Sequence, residues 1–127
     1  MNKIYIETSA GELVDKITIL EIKKDKISDK RKLEIINKEY SSLKTSVQKN
    51  LELNDEIKNL WSQLKEVNLK LWEIEDQIRL EEKNKKFEKK FIELARNVYK
   101  LNDERAKIKL KINQFLGSNI KEVKSYN

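Results

Sequence analysis

Apolar residues recur along this chain at alternating spacings of three and four, and the rhythm is longest between Asp55 and Gly117. It runs first through Ile57, Leu60, Leu64, Val67, Leu71, Ile74 and Ile78. It then runs through Phe87, Phe91, Leu94, Val98, Leu101, Arg105, Ile108, Ile112 and Phe115, with Arg105 the one polar member. Each stripe marks one face of a helix, and two stripes joined by a few polar residues predict an antiparallel helical hairpin of coiled-coil type. The helices are expected over 55–83 and 87–116. Asn84-Lys85-Lys86 forms the turn, and Gly117 follows the last helical turn, where a positive φ is wanted.

The N-terminal part carries shorter signals. Lys3 to Glu7 alternates polar and apolar residues, but a lone strand has nothing to pair with, so residues 1–8 are expected as an extended arm. Ser9 followed by Glu12 fits a capping box, in which the hydroxyl accepts a free backbone N–H and the carboxylate reaches back. Leu13, Val14, Ile17, Leu20 and Ile27 then hold one face, and Ile19 and Ile22 widen it, so this helix should be contacted from two sides. At Ser28-Asp29 the phase slips to a new stripe of Leu33, Ile36, Tyr40, Leu43 and Val47. The slip predicts a break near 28–30, with Asp29 as a new cap, inside a first helical arm over 9–50. Asn54 is placed to cap the next helix, and 118–127 read as a polar tail. The expectation is one all-α domain over 1–127, an elongated antiparallel bundle of three to four helices built on the long hairpin.

Composition narrows the chemistry. The chain has 127 residues, 39% charged and 38% hydrophobic, a lean core suited to long thin helices. With no Cys and no His, disulfides, thiolate nucleophiles, the usual zinc sites and histidine acid–base chemistry are excluded. No catalytic residue, metal or cofactor is assigned. No run approaches the roughly eighteen apolar residues of a membrane span. The N-terminus lacks a basic-then-apolar signal pattern, so the expected location is cytoplasmic. The net charge is +6, but 22 acidic residues are interspersed, which supports only a modest preference for anions. Lys83, Lys85, Lys86, Lys89 and Lys90 form the one dense basic run, at the hairpin tip. Such a run at a turn is ordinarily solvated, so nucleic acid is a minor alternative.

A helix packed in a bundle needs a second stripe, and here it is unusually polar. On the first long helix it reads Trp61, Lys65, Asn68, Trp72, Glu75 and Arg79. On the second it reads Ile92, Ala95, Tyr99, Asn102, Ala106, Lys109 and Asn113. Polar groups on a half-buried stripe cost stability unless they are hydrogen-bonded. Trp61, Asn68, Trp72, Glu75, Asp76 and Arg79 are therefore candidates for an internal network, which is favoured, or for an interface. A turn centred near Asn84-Lys85 sets Arg96 beside Glu73 and Glu93 beside Asp76, so an ion-pair ladder among Glu73, Asp76, Arg79, Glu93 and Arg96 is expected. Arg105, on an apolar stripe, needs a carboxylate or an anion, or must reach solvent. Pairing with Asp103, Glu104, Asp15 or Glu21 is the favoured reading. The alternative is a polar or anion site formed by Arg96, Tyr99, Asn102, Asp103 and Arg105.

Several strings resemble an uncharacterised family of small bacterial proteins defined as a domain of unknown function. They are the run from Gly11 to Lys23 (GELVDKITILEIK), Leu71 to Asp76 (LWEIED), Glu93 to Ala106 (ELARNVYKLNDERA) and Lys124-Ser125-Tyr126 (KSY). The resemblance implies no catalytic role for any residue. It implies proximity to surface-polysaccharide glycosyltransferases, hence an accessory role there as one alternative. The leading expectation is a non-enzymatic module acting through protein contact, as a homodimer or with another protein, through an exposed part of the Trp61/Trp72 stripe. An anion- or small-ligand-binding bundle, with or without enzymatic activity, is the second. A weak nucleic-acid binder is the third.

Overall fold

The computed structural model describes residues 2–125, so Tyr126 of the Lys124-Ser125-Tyr126 string lies outside the described residues. Four helices follow one another: α1 (Ala10–Lys26), α2 (Lys30–Asn50), α3 (Asp55–Lys83) and α4 (Lys89–Leu116). Residues 2–9 are coil without a strand.

Three helices start where short polar side chains accept free backbone N–H groups. Ser9 Oγ accepts from the Glu12 N–H at 3.1 Å, and Asp29 Oδ1 accepts from Arg31 and Lys32 at 3.0 and 3.1 Å. Asn54 Oδ1 accepts from Ile57 at 2.9 Å. The break between α1 and α2 is the short link at 27–29, held by the Asp29 cap. The reciprocal half of the capping box at Ser9 does not form, because the Glu12 carboxylate turns away to Lys109 and Lys16. At the far end Gly117 takes the left-handed conformation (φ 62°, ψ 41°), and the Ser118 N–H bonds back to the Asn113 carbonyl at 2.9 Å. Only glycine adopts that conformation without steric cost.

α1 is contacted from two sides. On one side Val14 packs among Ile57, Leu60, Leu64 and Val67 of α3 and Ile108 and Ile112 of α4. On the other, Leu13 and Ile17 pack with Val47 of α2, closed over by Tyr40, Leu43, Leu51 and Trp61. α2 thus lies on the outer side of α1, and α1 carries the hydrophobic link between α2 and the hairpin.

The turn between α3 and α4 is longer than the sequence predicts. It occupies 84–88, with Lys85 at φ 53°, and α4 begins at Lys89 rather than 87. Phe87 therefore sits in the turn, 53% exposed, instead of joining the inner stripe. The longer turn shifts which residues face each other, and the ion-pair ladder is absent. Arg79 pairs along its own helix with Glu75 at 3.9 Å, Glu93 with Lys89 at 3.9 Å, and Lys90 crosses to Glu81 at 3.4 Å. Glu73, Asp76 and Arg96 are exposed and make no ion pair among the described residues. At the other end Phe115 is 57% exposed, and Leu116 takes the inward position against the core.

The path of α1 decides what the hairpin buries. The N-terminal turn of α1 sits beside Lys109 and Asn113 of α4, Asp15 and Thr18 meet Asn68 of α3, and Glu21 lies against Trp61 and Lys65. α1 therefore crosses the inner half of the hairpin and does not run on toward the turn. Beyond it α3 and α4 have only each other. Leu94 is buried there, Ile74, Ile78, Phe91 and Val98 are half-buried, and Leu80 and Ile92 are exposed.

Candidate functional site

The buried polar groups gather where α1 meets the hairpin. Arg105 occupies a position in the inner rhythm of α4, and its guanidinium reaches Asp15 of α1. Nε donates to Asp15 Oδ1 at 2.8 Å and the terminal nitrogen donates to Oδ2, a two-pronged pair. Asp15 is fully buried. Asn68 of α3 donates to the same Oδ1 at 2.9 Å and to Thr18 Oγ1 at 3.0 Å, while the Thr18 hydroxyl donates to the Asp15 carbonyl at 2.8 Å. The other arm of the guanidinium contacts Asn102 Oδ1 at 3.3 Å. Three helices thus converge on one carboxylate, and no buried side-chain polar atom among the described residues is left without a partner. The hydrogen bond to Asp15 holds the Arg105 pKa above its ordinary value despite burial.

A second clasp closes the end of the bundle. Gly11 approaches α4 so closely that a Cβ there would lie 2.5 Å from the Lys109 carbonyl oxygen and 2.9 Å from Asn113 Oδ1. Asn113 Oδ1 accepts the Gly11 N–H at 2.7 Å, and Ser118 Oγ accepts the Ala10 N–H at 3.2 Å. Lys109, almost wholly buried, donates to Glu12 at 2.7 Å and pairs with Glu122 of the tail at 2.8 Å. Burial pulls the Lys109 pKa down, but the hydrogen bonds to Glu12 and Glu122 outweigh it, and the pKa is raised. Glu122, bonded first to Lys109 and then to Lys124, is held at about 2.

Between these two clusters a cleft of about 870 Å³ runs along α4. Val98, Tyr99, Asn102, Asp103, Arg105, Ala106 and Lys109 form its floor, and Glu12, Glu122 and Lys124 its sides. Of the five residues proposed from sequence as a polar or anion site, Tyr99, Asn102, Asp103 and Arg105 line this cleft, and Arg96 does not. No group of three or more carboxylates among the described residues is placed to hold a metal ion.

The second stripe divides along its length. Trp61 is half-buried and donates from Nε1 to Glu21 at 2.9 Å, and Lys65 reaches the other oxygen of Glu21 at 3.4 Å. Asn68 belongs to the Asp15 network. Farther out Trp72 is half-buried, and Glu75, Asp76 and Arg79 are exposed. Sequence reasoning named Asp15 as one partner open to Arg105, but it did not find Lys109, Glu12 and Glu122 as a cluster. The available signal was the polar pair Lys109 and Asn113, which recurs at the spacing of a packed face. Nothing in the tail points to Glu122.

A family model described as a family of unknown function, DUF6165, matches residues 4–127, and the chain belongs to that family. No curated protein and no solved structure matches the chain. No helix among the described residues is long and apolar enough to cross a membrane.

Proposed function

We propose that this family member is a non-enzymatic helical interaction module that associates with a second copy of itself through the outer half of the α3–α4 hairpin. The observation that carries the reading is the uncovered face there. Ile92 lies 54% exposed on the side of α4 that, farther along, packs on α1 through Lys109 and Asn113. On α3 the matching face carries Trp72, Glu75 and Arg79. A two-helix unit with an open apolar face is half of a four-helix bundle. A second copy is the occupant favoured by charge. Glu75 and Arg79 sit one turn apart on the open face, so a twofold axis brings each Glu75 to the partner's Arg79, the self-complementarity an isologous contact requires. Leu80 and Phe87, 58% and 53% exposed, extend the apolar surface at the tip.

The anion-binding alternative is weakened because the cations of the cleft are matched within the chain: Arg105 by Asp15, Lys109 by Glu12 and Glu122, and Lys124 by Glu122. The nucleic-acid alternative is weakened because the basic tip is interleaved with Glu81, Glu82 and Glu88, and Lys89 and Lys90 are paired.

The test is light scattering coupled to size exclusion across a concentration series, with Ile92→Lys and Trp72→Ala alongside. A dimer that dissociates in Ile92→Lys while helicity is unchanged is the expected result. A wild-type monomer at the highest soluble concentration overturns the reading. So does a dimer that survives both substitutions.

A further inference from the structure

Among the charged groups lining the cleft, one carboxylate is left without a partner. Arg105 is neutralised from behind by Asp15, and Lys109 and Lys124 are held by Glu12 and Glu122. Three carboxylates (Glu12, Asp103 and Glu122) line the cleft beside these three cations, and because Arg105 takes its counter-ion from behind the lining, Asp103 is left without a cation. It is half-buried, lines the cleft, and has no hydrogen bond or ion pair among the described residues. One helical turn away on the same face of α4 lies Tyr99, its side chain 55% exposed. Beside them Asn102 turns its carbonyl oxygen toward Arg105.

We propose that this cleft binds a small organic cation, a compound bearing a primary ammonium or a guanidinium group. The Asp103 carboxylate is its counter-ion, and the Tyr99 ring is the face over which the charge rests. A carboxylate one turn from an aromatic face meets both requirements of such a group, charge neutralisation and contact with the negative face of a π-system. The volume of about 870 Å³ lies within the range of small-molecule sites. The chain as a whole carries +6, so its general field repels cations. An amine held here is held by the local arrangement. The inference uses α4 and the tail and is independent of self-association through the outer hairpin.

The experiment is an amide-resolved NMR titration at low salt with agmatine, which carries an ammonium at one end and a guanidinium at the other. Inorganic phosphate serves as the anionic comparison. Saturable shifts confined to residues 98–109 and 122–124 are expected with agmatine and not with phosphate. Asp103→Asn should weaken agmatine binding by about tenfold, the effect of losing one charge-assisted contact. Tyr99→Leu should weaken it by about threefold, as loss of an exposed cation–π contact predicts. Neither side chain supports the core, and a far-ultraviolet spectrum identical to wild type confirms that the fold is intact. The proposal is overturned if agmatine gives no saturable shift in the cleft, if Asp103→Asn leaves its affinity unchanged, or if phosphate occupies the cleft instead.

Discussion

The α3–α4 hairpin keeps one hydrophobic rhythm along its whole length, yet its two halves meet different fates. In the inner half Ile57, Leu64 and Ile112 are completely buried, and a charged pair between Arg105 and Asp15 is enclosed with them. In the outer half the same spacing leaves Ile74, Ile78 and Phe91 only half-covered and Ile92 exposed. What separates the halves is α1, which crosses only the inner one. A pair of helices buries one stripe on each member, and a second stripe is buried only where a third helix lies over it. Periodicity therefore reports which face can be buried, and where the neighbouring helix crosses decides how much of it is.

The sharpest way to test this contrast is to strike the inner half. Asp15→Ala leaves Arg105 half-buried without its counter-ion and takes away one of the two partners of Asn68, and a loss of about 3–5 kcal/mol is expected from denaturant unfolding. Next is a matched pair of truncations. Leu64→Ala empties a fully buried site and should cost about 2–5 kcal/mol, whereas Leu80→Ala at the exposed tip should stay within about 0.5 kcal/mol. Equal costs at the two positions would break the comparison. Gly11→Ala places a methyl group against the Lys109 carbonyl and should cost about 1–3 kcal/mol, read as a lowered melting temperature.

The smallest effect is a pH dependence. The Glu122 carboxylate is held at about 2, below the usual 4.5. Its contribution is present in full above pH 4.5 and is lost as pH falls toward 2. Glu122 is more than a third exposed, so solvent screening holds that contribution to about 1 kcal/mol or less. Glu122→Gln should flatten the acid limb of the stability curve by that amount. Lys109 has the opposite sign: its pKa is raised, so its contribution is present below its ordinary value of 10.5 and is lost as pH rises through the folded-state pKa.

The helix caps, which involve neighbours in the chain, were readable from sequence. Ser9, Asp29 and Asn54 cap the helices they were expected to cap, and Gly117 sits left-handed after α4. The rule for the turn was weaker, because Asn84-Lys85-Lys86 accommodates several loop lengths, and two extra residues moved Phe87 out of the stripe and undid the ladder. Partners distant in sequence were legible only by elimination. Arg105 on an apolar face demanded a carboxylate, and Asp15 was one of four named; helix geometry disfavours Asp103, only two residues back, but nothing local singles out Asp15. Glu12 is the instructive failure. Its position three residues after Ser9 fits a capping role, but the cation of Lys109, enclosed and 97 residues away, attracts the carboxylate more strongly than a solvated N–H does.

The clasp at the bundle end has a topological consequence. Ala10 bonds to Ser118, and the Asn119 amide donates to Glu7 at 2.8 Å, so segments separated by more than a hundred residues lie side by side. The helices should therefore tolerate a change in their order along the chain. A circular permutant that joins residue 119 to residue 7 through a short Gly/Ser linker and opens at Lys85 keeps every contact of α1 with α3 and α4 while severing the hairpin turn. Such a permutant should fold, because the inner half is held by α1 rather than by the covalent link between α3 and α4, and the new chain ends should fray from the tip inward.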